Sequence, residues 1–254
     1  MFFEESAEDY HRLRPGYPAA LFSDLSRLTG LGTGTEAVEV GSGTGLATEG
    51  LLRLNWRVTC VEPAAQMAAI ARATLGDAFT LVPLAFEDWE APGDSADVVF
   101  AATSWMWVRQ EIGFPKAAAL LRDDGFLALS WQTLVSLGPD GIQERLESVY
   151  EALAPQMKAV FFNQQTVHDG WPERVAASGY FTAPETLAYP FARSFDARSF
   201  VAATFTYGMH GELDPGQRAR LAEGLVAAID AEYGGRVERY EQAYLYLARR
   251  SHGE

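Results

Sequence analysis

The sequence predicts an α/β protein built on a doubly wound sheet of seven strands. Short apolar segments, such as 37–40 and 57–62, alternate with segments whose apolar residues recur at helical spacing, such as 19–28. A glycine-rich turn, 41–45, directly follows the first of these strands, and an acidic residue, Glu62, ends the second. This order is typical of a parallel βαβ unit that binds a ligand at the C-terminal ends of its strands.

Composition narrows the classes of function. The 254 residues are 48% hydrophobic and carry a formal net charge of −14, whereas proteins that bind nucleic acids usually present a basic surface. No apolar run is long enough to span a bilayer, and the acidic N-terminus differs from the basic start of a signal peptide. We therefore expect a cytoplasmic protein with no nucleic-acid or membrane partner.

Cysteine and histidine usage argues against a metal site. Cys60 is the single cysteine, which excludes an intramolecular disulfide and a thiolate cluster, and its apolar neighbours predict a buried thiol. The four histidines lack metal-ligand spacing. We expect no bound metal.

The turn has the pattern acidic-x-G-x-G-x-G, formed by Glu39, Gly41, Gly43 and Gly45. Glycine takes positive φ without strain and lets a ligand approach the backbone. The dinucleotide fingerprint needs its third glycine where Leu46 stands, which argues against an NAD(P)-dependent oxidoreductase, although that class remains an alternative. Glu62 lies at the spacing at which an acid accepts hydrogen bonds from ribose hydroxyls.

Two further strand ends carry residues of interest. The third predicted strand, 78–82, precedes Glu87 and Asp88, and the fourth, 97–101, precedes a turn with two tryptophans, Trp105 and Trp107. Ligands of doubly wound sheets lie beyond the C-terminal ends of the strands, so this aromatic turn should face the ligand. The alternative is that both tryptophans belong to the core.

Taken together, these patterns resemble class I S-adenosylmethionine-dependent methyltransferases, of the small-molecule, methyltransferase type 11-like kind. The resemblance includes a leader of the form Y-x-x-x-R-P-x-Y-P at residues 10–18 and an Asp-Gly turn before the fifth strand. It implies a Rossmann-like fold, S-adenosylmethionine as cofactor, and in-line methyl transfer that releases S-adenosylhomocysteine. The cofactor-binding residues that it implies are Tyr10, Arg14, Glu39, Gly41, Gly43, Gly45, Glu62, Met67, Glu87, Asp88, Thr103 and Trp105.

Several of these roles have open alternatives. Tyr10 and Arg14 would contact the amino-acid moiety of the cofactor, or the leader would only pack. Met67 would lie against the adenine or in the core. The acid that holds the adenine amino group is Glu87, with Asp88 second, because the register is uncertain by one residue.

The second half of the chain interrupts the strand–helix alternation. We predict a nucleotide-binding half at 1–131, a helical cap insertion at 132–184 and a segment at 185–254 that completes the sheet. The insertion contains predicted helices at 142–153 and 171–178, and acceptor specificity should reside in it. The last strand, 236–248, would be antiparallel and inserted between its neighbours, as in class I methyltransferases.

A general base is needed only for a hydroxyl or protonated-amine acceptor. Its candidates are His210, His168 and His11, with Tyr207 as a further choice, and each histidine has a structural alternative. The acidic charge and the aromatic insertion predict a small, partly apolar acceptor, and the protein would be a monomer or homodimer. The Ala-, Arg- and Gly-rich composition suggests a bacterial source. A protein that binds S-adenosylmethionine without catalysis remains the second alternative.

Overall fold

The computed structural model describes residues 7–157, 170–206 and 208–251. His168 and Tyr207, two of the candidate general bases, lie outside the described residues. None of the helices in the described ranges is both long and apolar enough to cross a membrane.

Helices and strands follow one another in the predicted order. The α-helices of the described residues are α1 (Ala7–Leu13), α2 (Ala19–Thr29), α3 (Thr48–Arg53), α4 (Ala65–Leu75), α5 (Gln110–Leu120), α6 (Ile142–Leu153), α7 (Trp171–Ala177), α8 (Ala197–Phe205) and α9 (Pro215–Tyr233). The strands are β1 (Glu36–Val40), β2 (Arg57–Val61), β3 (Thr80–Val82), β4 (Ala96–Ala102), β5 (Leu121–Gly138), β6 (Glu185–Asp196) and β7 (Arg236–Arg249). Short 3₁₀ turns occupy Phe86–Asp88, Trp105–Trp107 and Gly208–Glu212.

The seven strands form one sheet in the order β3-β2-β1-β4-β5-β7-β6. Strand β1 pairs in parallel with both β2 and β4, so that Ala37 is opposite Val58 on one side and Val98 on the other. The strand order reverses between β1 and β4, and ligands of such sheets bind at this switch point, outside the carboxyl ends of the strands. The predicted α/β fold and the insertion of β7 between its neighbours are confirmed.

The chain divides into two compact units. One, here called the sheet unit, comprises Pro15–Gln132, Gly170–Tyr189 and Ala243–Glu254. The other, the helical unit, comprises Met1–Arg14, Thr133–Asp169 and Pro190–Gln242. The predicted cap, 132–184, is thus divided between the two units, and its first residues continue strand β5 as far as Gly138.

The core of the sheet unit is apolar because its parallel strands are covered on both faces. Val38, Val99 and Leu127, one from each of three strands, are at most 5% exposed. Trp131 stacks on Trp171 with their ring centroids 4.7 Å apart and a 17° angle between the rings. This aromatic pair holds helix α7 in the core of the sheet unit.

The core of the helical unit is formed by amphipathic helices. In α6, Ile142, Leu146 and Tyr150 recur at intervals of four residues and are completely buried. They pack in one apolar cluster with Leu221 and Leu225 of α9. The predicted helix at 142–153 is confirmed residue for residue, because its 3.6-residue periodicity is a local signal.

The leader contains a helix that the sequence analysis does not predict. Helix α1 spans Ala7–Leu13 and ends two residues before Pro15. A proline restricts the residue that precedes it to extended conformations, but it does not restrict residues farther upstream. The prolines therefore exclude a helix at 15–18 but not in the segment before them.

Candidate functional site

The glycine turn lies directly after β1. Gly41, Gly43 and Gly45 have φ angles of 68°, 57° and 84°, which is the left-handed region that favours glycine. The Gly41 N–H donates to the carbonyl oxygen of Val61 at 2.8 Å, which ties the turn to the end of β2. The following helix, α3, begins at Thr48.

Glu62 connects the end of β2 to this turn. Its Oε2 accepts a 2.7 Å hydrogen bond from the Gly43 N–H, and its Oε1 accepts one of 2.8 Å from the Ala64 N–H. Burial raises the pKa of the Glu62 carboxyl, and the two backbone N–H groups oppose that rise. The carboxyl is thus held rigidly at the mouth of the turn, beside the backbone that a ligand would approach.

Glu39 is completely enclosed. Its side chain accepts a 2.6 Å hydrogen bond from the Thr48 hydroxyl and lies 3.8 Å from the Cys60 sulfur. Burial raises the pKa of Glu39 to about 8, so that its carboxyl is mainly protonated at neutral pH. Burial also raises the pKa of the Cys60 thiol. Glu39 is 1% exposed and supports the turn from within the protein.

The three glycines differ in what surrounds them. A Cβ on Gly41 would lie 2.5 Å from the Ser104 Cβ, and one on Gly45 would lie 2.8 Å from the Leu75 Cδ1. Among the described residues, a Cβ on Gly43 would meet only the Met67 Cε, at 3.5 Å. Packing of the protein itself therefore explains Gly41 and Gly45, whereas Gly43 borders open space.

The residues around Gly43 fit an adenosine-bearing cofactor. The open side of Gly43 leaves bare backbone for a ligand to contact, next to the Glu62 carboxylate. Met67, at the start of α4, supplies an apolar surface and is 6% exposed. The Thr44 hydroxyl is buried without a hydrogen-bond partner within the described residues, so the turn retains a polar group that a ligand can satisfy.

The loop after β4 contains a feature that the sequence analysis missed. Thr103 has φ 57°, an uncommon conformation for a β-branched residue, and its hydroxyl forms a 2.9 Å hydrogen bond with the Tyr17 hydroxyl. The Ser104 hydroxyl donates to the Val40 carbonyl at the end of β1. Tyr17 stands in the leader motif, which was the available signal, but only the fold pairs it with Thr103.

The two tryptophans of this loop have opposite environments. Trp105 is completely buried and packs against Phe86 and Phe114, with ring centroids 5.9 and 5.5 Å away. Trp107 is 68% exposed. Trp105 is a core residue of the sheet unit, and Trp107 presents an aromatic surface at the C-terminal end of β4.

The two acidic residues after β3, Glu87 and Asp88, also have different environments. The Glu87 carboxylate accepts a 2.9 Å hydrogen bond from the Arg109 N–H, and Lys116 donates to the Glu87 carbonyl at 3.0 Å. Asp88 is exposed. Of the two acids, Asp88 is the one whose carboxylate faces solvent.

Tyr10 and Arg14 belong to the helical unit. The Arg14 guanidinium lies 4.9 Å over the Tyr10 ring, and its Nε donates to the Thr206 hydroxyl at 3.0 Å. His11 is half-buried on the same helix, and its Nδ1 has no hydrogen-bond partner within the described residues. Arg14, with Tyr10 stacked beneath it, thus contacts the C-terminal end of α8.

His210 is completely buried in the helical unit. Its Nε2 lies 2.9 Å from the Tyr150 hydroxyl, and its ring stacks on Phe205 at 4.8 Å. This is the environment of a core histidine with a fixed ring orientation. Within the described ranges, no group of three or more His, Cys, Asp or Glu side chains is placed to hold a metal ion.

Part of the chain resembles known methyltransferases. A family model described as a methyltransferase domain matches residues 38–129. An uncharacterized methyltransferase of Mycobacterium tuberculosis is 30% identical over 131 residues, which are 52% of this chain and 52% of the relative. The chain thus aligns with about half the length of the curated relatives that it matches.

Solved structures extend the likeness of the fold over most of the chain. A protein assigned as a type II methyltransferase from Anaeromyxobacter dehalogenans superposes with a TM-score of 0.63 at 22% identity, over 93% of this chain and 97% of that chain. Phosphoethanolamine N-methyltransferase 2 of Haemonchus contortus, in complex with phosphomonomethylethanolamine and S-adenosylhomocysteine, superposes with a TM-score of 0.53 at 14% identity, over 99% and 59%. Residues 38–129 therefore match a methyltransferase domain, and the chain shares its fold with solved methyltransferase structures.

Proposed function

We propose that the protein binds S-adenosylmethionine at the glycine turn and transfers its methyl group to a small, partly apolar acceptor. The observation that carries this proposal is the hydrogen bond of 2.7 Å between the Gly43 N–H and the Glu62 carboxylate. It brings a ribose-binding acid next to bare backbone at the switch point of a parallel sheet. The matching methyltransferase domain supports the same cofactor.

In this proposal, different residues of the site bind different parts of the cofactor. Glu62 accepts hydrogen bonds from the ribose hydroxyls, since its backbone donors leave lone pairs on both carboxylate oxygens. Met67 packs against the adenine. Asp88, rather than the Arg109-bonded Glu87, accepts from the adenine amino group.

The proposed reaction requires little covalent chemistry from the side chains of the protein. When bound, S-adenosylmethionine supplies an activated methyl group for in-line displacement by the acceptor. The residues of the site orient the reactants and exclude water, and orientation alone contributes several kcal/mol to such reactions. No general base is assigned, because His210 lies enclosed in the helical unit.

Three features support a small acceptor. The net charge of −14 disfavours polyanions. The exposed Trp107 offers an aromatic surface beside the end of β4. The Haemonchus contortus neighbour carries a small phosphorylated amine.

Replacing Glu62 tests the cofactor directly. Isothermal titration with S-adenosylhomocysteine is expected to show saturable binding to the wild type, and Glu62→Ala should weaken it by about 10- to 100-fold, because hydrogen bonds to a charged group contribute roughly 1.5–3 kcal/mol. Asp77→Ala, at a fully exposed acid, is the matched control and should leave affinity unchanged. Binding of NAD or NADP instead would contradict the proposal.

Catalysis is separated from binding alone by product formation. The purified protein is incubated with S-adenosylmethionine and pools of small hydroxyl, amine and carboxylate compounds, and S-adenosylhomocysteine is quantified. Release above the acceptor-free rate, lost in Glu62→Ala, is the expected result. Cofactor binding without turnover on any pool would favour a binding protein without catalysis.

A further inference from the structure

Helices α8 and α9 of the helical unit each carry a stripe that begins with an arginine and continues with apolar residues at helical spacing. The stripes are Arg198, Val201, Ala202 and Phe205 on α8, and Arg218, Ala222 and Val226 on α9. Such a pattern gives an apolar surface with a cation at one end of each helix. Both stripes belong to the helical unit, whereas the glycine turn belongs to the sheet unit.

The two stripes line one cavity of about 310 Å³. Its floor includes Val201 and Phe205, which are 4% and 8% exposed. The volume lies at the lower end of the range of small-molecule sites. The cavity is therefore sized for a compact ligand with an apolar body.

The two arginines lie near different ends of α8. Arg198 precedes Phe205 by seven residues, which is a rise of about 10 Å along a helix. The guanidinium carbon of Arg218 lies 5.5 Å from the centroid of the Phe205 ring. The cavity, here called the trough, thus has an apolar floor, with Arg198 in the first turn of α8 and the Arg218 guanidinium beside Phe205, the last residue of α8.

The charges at this trough are unbalanced. Asp9 is the acid among the described residues that line it, and its carboxylate already accepts a 2.6 Å hydrogen bond from Arg12. Within the described part of the chain, neither Arg198 nor Arg218 forms an ion pair with a carboxylate. In a chain with a net charge of −14, this local excess of cations favours an anionic ligand.

We propose that this trough binds an α,ω-dicarboxylate with an apolar chain, one carboxylate at Arg198 and the other at Arg218. Guanidinium groups form strong, often bidentate hydrogen bonds with carboxylates, and the aliphatic chain of the ligand covers the apolar floor. The site stands apart from the proposed methyl transfer and does not rest on it.

The probe is suberate, the eight-carbon dicarboxylate, titrated into the full chain by calorimetry. Octanoate, which has one carboxylate, and 1,8-diaminooctane, which has the opposite charge, are the comparison ligands. Arg198→Gln and Arg218→Gln are each expected to weaken suberate binding about tenfold or more. The matched control is Arg220→Gln, which removes an arginine of α9 that does not line the cavity.

Ala222→Leu fills the trough without removing a charge and should also weaken suberate binding. Urea denaturation of the same samples reports whether each variant is folded. Suberate binding that exceeds octanoate binding tenfold, and that both arginine variants lose, supports the proposal. Equal affinity for suberate, octanoate and the diamine, an unchanged affinity in both variants, or no saturable binding to the wild type would each overturn it. These outcomes are independent of whether S-adenosylhomocysteine binds.

Discussion

Gly43→Ala is expected to weaken S-adenosylhomocysteine binding by at least about 100-fold, while the free energy of unfolding falls by only about 1–2 kcal/mol. The added methyl group would enter the open space where we propose that the cofactor lies, and among the described residues it would touch only the Met67 Cε, at 3.5 Å. The stability loss reflects the φ of 57°, which a non-glycine residue adopts at a cost. Calorimetric titration and urea denaturation of the same variant measure the two quantities.

Gly41→Ala provides the contrast. Its Cβ would lie 2.5 Å from the Ser104 Cβ, so the variant should lose about 3 kcal/mol or more of unfolding free energy as strain and overpacking add. Comparable destabilisation in the Gly41 and Gly43 variants, with S-adenosylhomocysteine affinity unchanged for Gly43→Ala, would show that Gly43 serves the fold rather than the cofactor.

Ionisation of Glu39 should lower the free energy of unfolding as pH rises from about 4.5 to about 8. The Glu39 carboxyl titrates near 4.5 in the unfolded chain but near 8 in the fold. Between these values the unfolded chain is ionised while the native group stays protonated, so the unfolding free energy decreases by up to about 1.4 kcal/mol per pH unit. The contribution is complete below pH 4.5 and is lost once pH passes about 8, for a total of at most about 5 kcal/mol.

Glu39→Gln removes this titration, because the amide stays uncharged and still offers an oxygen to the Thr48 hydroxyl. Urea denaturation between pH 5.5 and 8 should therefore show a shallower decline of the unfolding free energy in the variant than in the wild type. The control is Glu49→Gln, a half-exposed acid on α3, which should follow the wild-type slope. Parallel curves for the wild type and Glu39→Gln would mean that the buried carboxyl is ionised in the fold.

Local patterns were sufficient for much of the fold. The periodicity of α6, the alternation along β7 and the glycine spacing at 41–45 each depend on residues close together in the chain. The position of Glu62 relative to the turn also follows from the length of a βαβ unit. For this reason the element order and the location of the candidate cofactor site were predicted from the sequence.

The environments of individual side chains were decided only by tertiary structure. Trp105 and Trp107 are two residues apart in the same loop, yet Trp105 packs against Phe114 of α5 and Trp107 faces solvent. Glu87 is occupied by Arg109, which lies 22 residues farther along the chain. Such contacts join distant segments, and no short-range pattern encodes them.

The sequence by itself determined the fold class, the order of its elements and the glycine turn with its acid. These features depend on the spacing of apolar residues and on backbone conformation, which are set by residues close together in the chain. Tertiary structure decided that Glu39 is enclosed and mainly protonated, that Gly43 alone of the three glycines borders open space, and that Arg198 and Arg218 face one apolar cavity. Burial, charge state and empty volume arise only when segments far apart in the chain are packed together.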